Sequence, residues 1–232
     1  MKSILAIDTS TDACSVALYS RGKYSESHVL APRRHTEILL PEIEALLSRS
    51  ALSLHDLDGL AFGRGPGAFT GLRIATGVIQ GLAFGTGLPV IPISSLQALA
   101  QGIWREHKER NVLTALDARM GEVYWGAYRI EADGLAVSVT DECVCVPEKV
   151  TLPEGSWFGA GSGWTTYGEV LDQRVKQLSN HDRIKRELRS IERDCYPRAR
   201  DVATLAIAAL ERTEIVMAEH AQPVYLRDRV VR

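Results

Sequence analysis

Short apolar runs separated by tight polar turns open the chain, and they predict strands before any helix. Ser3 to Asp8 is one run, Cys14 to Tyr19 a second and Tyr24 to Leu30 a third, with Arg21-Gly22-Lys23 as a turn between the last two. Three such runs in succession read as an antiparallel meander. The period then changes: from Thr36 to Leu47 the residues Ile38, Leu39, Ile43, Leu46 and Leu47 fall at helical intervals. Leu60 to Phe62 is a brief buried strand that stops at Gly63-Arg64-Gly65-Pro66-Gly67, and Thr70 to Phe84 is helical again. Val90 to Ile93 makes another strand, and Ser94 is placed to cap a helix reaching His107.

The order β-β-β-α-β-α-β-α over residues 1–107 is that of one lobe of the actin and sugar-kinase architecture. The expected fold class is therefore α/β, actin-like and ribonuclease H-like (ASKHA), with two lobes built on mixed sheets. The second lobe, 108–232, starts the same way. Val112 to Leu116 is a strand, Asp117 to Gly121 a turn, and Glu122 to Tyr128 a second strand. A polar alternating strand over Ala136 to Val146 follows, then Trp157 to Ala160 feeding Gly161-Ser162-Gly163 and a helix. Arg198 to Glu211 reads as a late helix that packs back on the first lobe. Asp172 to Arg193 is too charged and too weakly patterned to assign, so the second lobe reads as a truncated repeat of the first.

Composition narrows the function classes. The 232 residues are 45% hydrophobic and 24% charged, with a formal net charge of -2, and the isoelectric point is near 6.3. An autonomous nucleic-acid binder carries a basic face and a domain isoelectric point above about 9, so contact with nucleic acid would be shared with a partner. The start reaches Asp8 too soon for a secretory signal. The apolar stretch from Ile74 to Ile93 contains Gln80, Pro89 and Pro92 and reads as a helix followed by a strand, not a membrane span. Cys14, Cys143, Cys145 and Cys195 match no zinc spacing, and reduced thiols in a cytoplasmic protein are the expectation.

Four features bear on chemistry. Asp8-Thr9-Ser10-Thr11 ends the first strand, where turn amides can form a concavity for phosphate; the alternative is a polar turn satisfying its own backbone. The loop carrying Gly65 and Gly67 joins a strand to a helix start, a natural anion site, though no Gly-Lys-Ser/Thr follows to make it a Walker motif. Gly77, Gly81 and Gly85 recur every four residues along one helical stripe. Each interior Gly costs about 1 kcal/mol against Ala, and the bare stripe would let another helix approach closely. Internal packing against the first helix or the sheet is the competing explanation, but Val78, Ile79, Leu82 and Phe84 already supply bulky faces for the core, which favours an interface. Lastly, the six histidines never fall close enough in sequence to pair on a metal, and no nucleophile elbow is present.

Taken together, Ile4 to Thr11, Gly63 to Arg73, Leu116-Asp117-Ala118-Arg119-Met120-Gly121-Glu122-Val123-Tyr124 and Pro223-Val224-Tyr225-Leu226-Arg227 resemble the TsaB (YeaZ) family over nearly the whole chain. The resemblance implies a part in making threonylcarbamoyladenosine beside the anticodon of ANN-decoding tRNAs. It also implies pairing with the catalytic relative TsaD, assembly with the ATPase TsaE and with tRNA through the complex, and a homodimer when the partner is missing. Catalytic relatives carry a His-x-x-x-His metal motif at the start of their third helix; the matching positions here are Ser95 and Leu99, so a non-catalytic subunit without metal or required cofactor is implied. ATP or ADP held weakly at the partner interface is the remaining ligand. The family's pairing surface lies on the first two helices, which points to His35, Ile38, Leu39, Glu42, Arg73, Gly77, Gln80, Gly81 and Gly85. An independent actin-like ATPase or kinase working through Asp8, and a glycoprotease-type peptidase, are the alternatives.

Overall fold

The first sheet is buried on both sides, which is why its central strands read as unbroken apolar runs. The structure, a computed structural model, describes residues 2–181 and 186–227. β1 (Ile4–Asp8), β2 (Ala13–Ser20) and β3 (Lys23–Leu30) form the antiparallel meander, and β4 (Gly59–Gly65) and β5 (Val90–Ser94) extend it in parallel. The order across the sheet is β3-β2-β1-β4-β5. On one face, Leu5, Ile7, Val16, Leu18, Leu60 and Phe62 pack with α1 (His35–Arg49) and α2 (Phe69–Thr86). The alternating residues Ile4, Ala6, Ala17 and Ala61 are equally buried, and α5 (Ala199–Glu211) lies against β1, β2, β4 and β5.

The second sheet repeats that topology. β6 (Asn111–Asp117) and β7 (Val123–Ile130) are an antiparallel pair. β8 (Ala136–Ser138) and β9 (Cys143–Cys145) both pair with β7. β10 (Gly155–Ala160) and β11 (Arg186–Glu192) add on in parallel beside β6. Read from β11 the order is β11-β10-β6-β7-β8, the mirror listing of the first sheet with β6 in the place of β1. α4 (Ser162–His181) connects β10 to β11 as α2 connects β4 to β5. What is shortened is the counterpart of α1: between β9 and β10 stands only a three-residue 3-10 turn, Pro147–Lys149. Trp125, Trp157 and Trp164 fill the core of this unit with Leu113, Leu171 and Val175.

Two sequence expectations change here. Ala136 to Val146 is not one strand but two, because Ser138 Oγ turns onto the Thr140 carbonyl and the Val139 amide returns to the Ala127 carbonyl at 2.7 Å. The unassigned stretch 172–193 holds the end of α4, kinked at Tyr167, and the edge strand β11; residues 182–185 lie outside the described residues. β11 hid in the sequence because an edge strand carries charge on its open side, here Arg-Glu-Leu-Arg-Ser-Ile-Glu.

The chain divides into two compact units. One takes the residues up to Ala98 with Pro197–Val224, and the other takes Leu99–Tyr196 with the residues from Tyr225 onward. The division falls inside α3 (Ser95–His107), earlier than the boundary after 107 read from the sequence. Among the described residues no helix is long and apolar enough to cross a membrane.

Candidate functional site

At the carboxyl end of β1 the chain folds onto itself. Asp8, Thr9 and Ser10 are all buried. Asp8 Oδ1 accepts from the Ser10 amide at 2.9 Å and from Ser10 Oγ at 2.7 Å, while Ser95 Oγ donates to Oδ2 at 3.4 Å. Thr9 Oγ1 donates to the Gly71 carbonyl at 2.7 Å, and the Ala68 amide at the head of α2 donates to the Ser10 carbonyl at 2.7 Å. Glycine is required along this seam. A Cβ at Gly63 would collide with Asp8 Oδ2, one at Gly67 with the Ser10 carbonyl and one at Gly71 with the Thr9 carbonyl.

Asp8, Thr9, Ser10 and Gly67, the residues expected to face a phosphate, lie together in a turn whose polar groups bond to one another and to the start of α2. The amide of Ala68, the residue before α2, is engaged by the Ser10 carbonyl, and the Asp8 carboxylate is fully buried. Burial pushes the Asp8 carboxyl up to about 6, against the pull of the Ser10 and Ser95 hydrogen bonds toward the ionised form. Thr11 is half-buried beside them. Gly65 has φ +103 and serves a different contact: a Cβ there would meet Leu72 and the Val224 carbonyl, each at 2.9 Å.

The glycine row on α2 is the opposite case. Gly77, Gly81 and Gly85 are exposed, and a Cβ added at any of them would meet nothing within 4 Å. Packing within the unit therefore does not explain them. They continue a row begun by Phe69 and Arg73, whose guanidinium lies 3.8 Å from the Phe69 ring centroid. Phe84 stands beside Gly85 and is 87% exposed, which corrects its placement in the core. Helical geometry carried the signal: Phe84 is three residues past Gly81 and so shares the stripe. The buried face of α2 is made by Leu72, Ala75, Thr76, Ile79 and Ala83.

The other residues expected to face a partner divide. Ile38, Glu42 and Gln80 are half-buried, and Gln80 Nε2 donates to the Ala221 carbonyl at 2.8 Å. Leu39, 1% exposed, belongs to the core, and buried His35 donates through Nε2 to the Thr11 carbonyl at 3.0 Å. Neither presents a side chain to a partner, because the helical repeat that carries Ile43 and Leu46 inward carries them inward too. Ser95 and Leu99 occupy i and i+4 at the start of α3, both buried. Among the described residues no group of three or more His, Cys, Asp or Glu is gathered as metal ligands would be.

In the second unit the Asp117–Glu122 turn and the tail motif meet. Arg227 pairs with Glu122, and its guanidinium also reaches the Arg119 carbonyl at 3.4 Å. Asp117 accepts from Arg119 Nη1 at 3.0 Å and from the Tyr167 hydroxyl at 3.2 Å.

Known proteins resemble this chain throughout its length. The family model described as "TsaD: tRNA N6-adenosine threonylcarbamoyltransferase" matches residues 28–231. The tRNA threonylcarbamoyladenosine biosynthesis protein TsaB of Escherichia coli is 40% identical over 98% of this chain and 95% of its own length. The Haemophilus influenzae protein of the same name is 39% identical over 98% and 94%. YeaZ from Pseudomonas aeruginosa superposes with a TM-score of 0.88 at 43% identity, covering 97% of this chain and 100% of that one. With an actin-like, ribonuclease H-like fold and relatives of this similarity, the chain belongs to the TsaB (YeaZ) family.

Proposed function

We propose that this protein is a non-catalytic subunit of the machinery that forms threonylcarbamoyladenosine on tRNA, acting by docking TsaD on the exposed row of α2. The observation that carries the proposal is the open glycine row: three residues that weaken a helix by about 1 kcal/mol each, none needed for contacts within the unit. Phe84, 87% exposed on the same stripe, supports the reading by adding an apolar ring that a partner could cover. The docking residues are Arg73, Gly77, Gly81, Gly85 and Phe84, with Ile38 and Glu42 of α1 at the margin; His35 and Leu39 serve the fold instead. A second copy covers the row when TsaD is missing, TsaE and tRNA join through the TsaD complex, and the protein works in the cytoplasm. The subunit needs no cofactor of its own, and ATP or ADP binds weakly at the partner interface.

Ser95 and Leu99 support the assignment of chemistry to the partner, because a hydroxyl and an isobutyl group cannot replace two imidazoles at a transition metal. The closed turn around Asp8 weighs against an independent ATPase, since its donors and acceptors are bonded to one another.

The test is co-purification with TsaD, then tRNA modification assays with each component omitted. Gly81→Leu should leave the protein folded, as its side chain enters open space, and should abolish co-elution with TsaD. Unchanged co-elution would overturn the docking face. Steady ATP hydrolysis by the isolated protein, lost in Asp8→Ala, would overturn the non-catalytic assignment.

A further inference from the structure

A groove of about 600 Å³ lies between α4 and β11, and neither the α2 row nor the closed turn uses it. Trp157 pairs with Leu188 and Phe158 with Ser190, which leaves Arg189 as the extra residue of a β-bulge. The bulge resets the alternation of the strand, so that Arg186, Leu188, Ile191 and Arg193 all face α4. Their contacts agree. Leu188 and Ile191 pack on the core that holds Leu171 and Val175 of α4. Arg186 donates to the Leu178 carbonyl at 3.4 Å and Arg193 to the Trp164 carbonyl at 2.6 Å. A Cβ at Gly168 of α4 would collide with the Arg193 guanidinium, so the helix gives up a side chain where that cation rests.

The groove therefore has an apolar middle, made by Val175, Leu188 and Ile191, with an arginine at each end. Lys176 and Arg189 stand exposed along its rim. β11 is the last strand of its sheet, so the backbone groups on its outer side are paired by no other described strand. The described partner of Arg193 is a neutral carbonyl, which leaves its charge uncompensated, and a guanidinium has further N–H groups to offer.

We propose that this groove docks an extended acidic segment of a protein partner, which adds to the sheet as a strand beside β11. An added strand turns every second side chain toward α4. The four positions opposite Arg186, Leu188, Ile191 and Arg193 then call for acid, apolar, apolar and acid. Backbone pairing supplies the affinity, and the alternate side chains supply the specificity. A nucleic-acid strand fits less well, because Asp172 and Glu187 also line the groove and repel a backbone charged at every unit. No aromatic ring stands among the described lining residues for a base to stack on.

The probe is a fluorescein-labelled heptapeptide, Glu-Thr-Val-Thr-Val-Thr-Glu, titrated against the full, folded protein by fluorescence anisotropy. It should bind saturably and more weakly as salt is raised. Lys176→Glu combined with Arg189→Glu should weaken binding about tenfold, as two attractions become repulsions. The same peptide with lysine at both ends should not bind. One with proline at its centre, which removes an amide from the added strand, should bind about tenfold more weakly. Absence of saturable binding, an unchanged constant in the double variant, equal binding of the lysine or proline peptide, or tighter binding of a labelled oligouridylate would each overturn the proposal. Both substitutions fall at exposed positions, far-ultraviolet circular dichroism verifies that the variant is folded, and the salt, lysine and proline arms use the unaltered protein.

Discussion

Replacing Asp8 by Asn should make this protein's stability less sensitive to pH, in a window the structure defines. The Asp8 carboxyl has no exposed surface and is raised from 3.8 to about 6, chiefly by burial. Between pH of about 4 and about 6 the native state therefore holds a proton that the unfolded chain has released. Stability falls with rising pH wherever the native state binds more protons. The contribution is intact below about pH 4, declines through the window and stays lost above about pH 6. A shift of roughly 2 units at about 1.4 kcal/mol each gives about 3 kcal/mol, with no discount for solvent screening because the group is enclosed.

Asn keeps the Oδ1 acceptor for the amide and hydroxyl of Ser10 and places an amide nitrogen where Oδ2 now faces Ser95 Oγ. Geometry is preserved while the charge is removed. Urea unfolding of both proteins by circular dichroism from pH 4 to pH 8 isolates the effect, since other titrating groups cancel in the difference. The two should be close in stability near pH 4, with Asp8→Asn ahead by up to about 3 kcal/mol near pH 7. Parallel curves across that range would refute the reasoning, showing that the ionised carboxylate is better solvated than its burial implies.

The remaining predictions concern the glycines and the tail. Gly77→Ala, Gly81→Ala and Gly85→Ala should each stabilise the isolated protein by up to about 1 kcal/mol, from helix propensity alone, measured by urea midpoint. Gly63→Ala and Gly71→Ala should each destabilise it by about 1–3 kcal/mol, as overpacking does, because the new methyl runs into Asp8 or the Thr9 carbonyl; melting temperatures near the wild-type value would contradict this. Arg227→Ala should cost about 1 kcal/mol, because Glu122 and the Arg119 carbonyl lose their shared partner, and amide exchange should quicken in the Asp117–Glu122 turn.

Much of the first unit was legible because its elements differ sharply in period: five strands and three helices stand where the apolar spacing put them. The second unit was less so. Its third strand is broken by a side-chain turn at Ser138, and its last strand is an edge whose charges mask the alternation. Helix α1 misled in a finer way. Residues 38 and 39 are both apolar, yet Leu39 falls on the repeat of Ile43 and Leu46 and is sealed, while Ile38, one position off it, stays partly open.

The glycines show why spacing alone cannot separate a packing constraint from a docking face. Gly63, Gly67 and Gly71 recur every four residues, and so do Gly77, Gly81 and Gly85. In the first series the missing Cβ makes room for Asp8 and for the Ser10 and Thr9 carbonyls; in the second it makes room for nothing in the same unit. The two series therefore respond to alanine with opposite signs, loss of stability at 63 and 71 and gain at 77, 81 and 85. A helix that forgoes about 3 kcal/mol of intrinsic stability where an added Cβ would meet nothing in its own unit has no internal reason for its glycines, which is why we propose docking on α2 and not on the more conspicuous glycine loop before it.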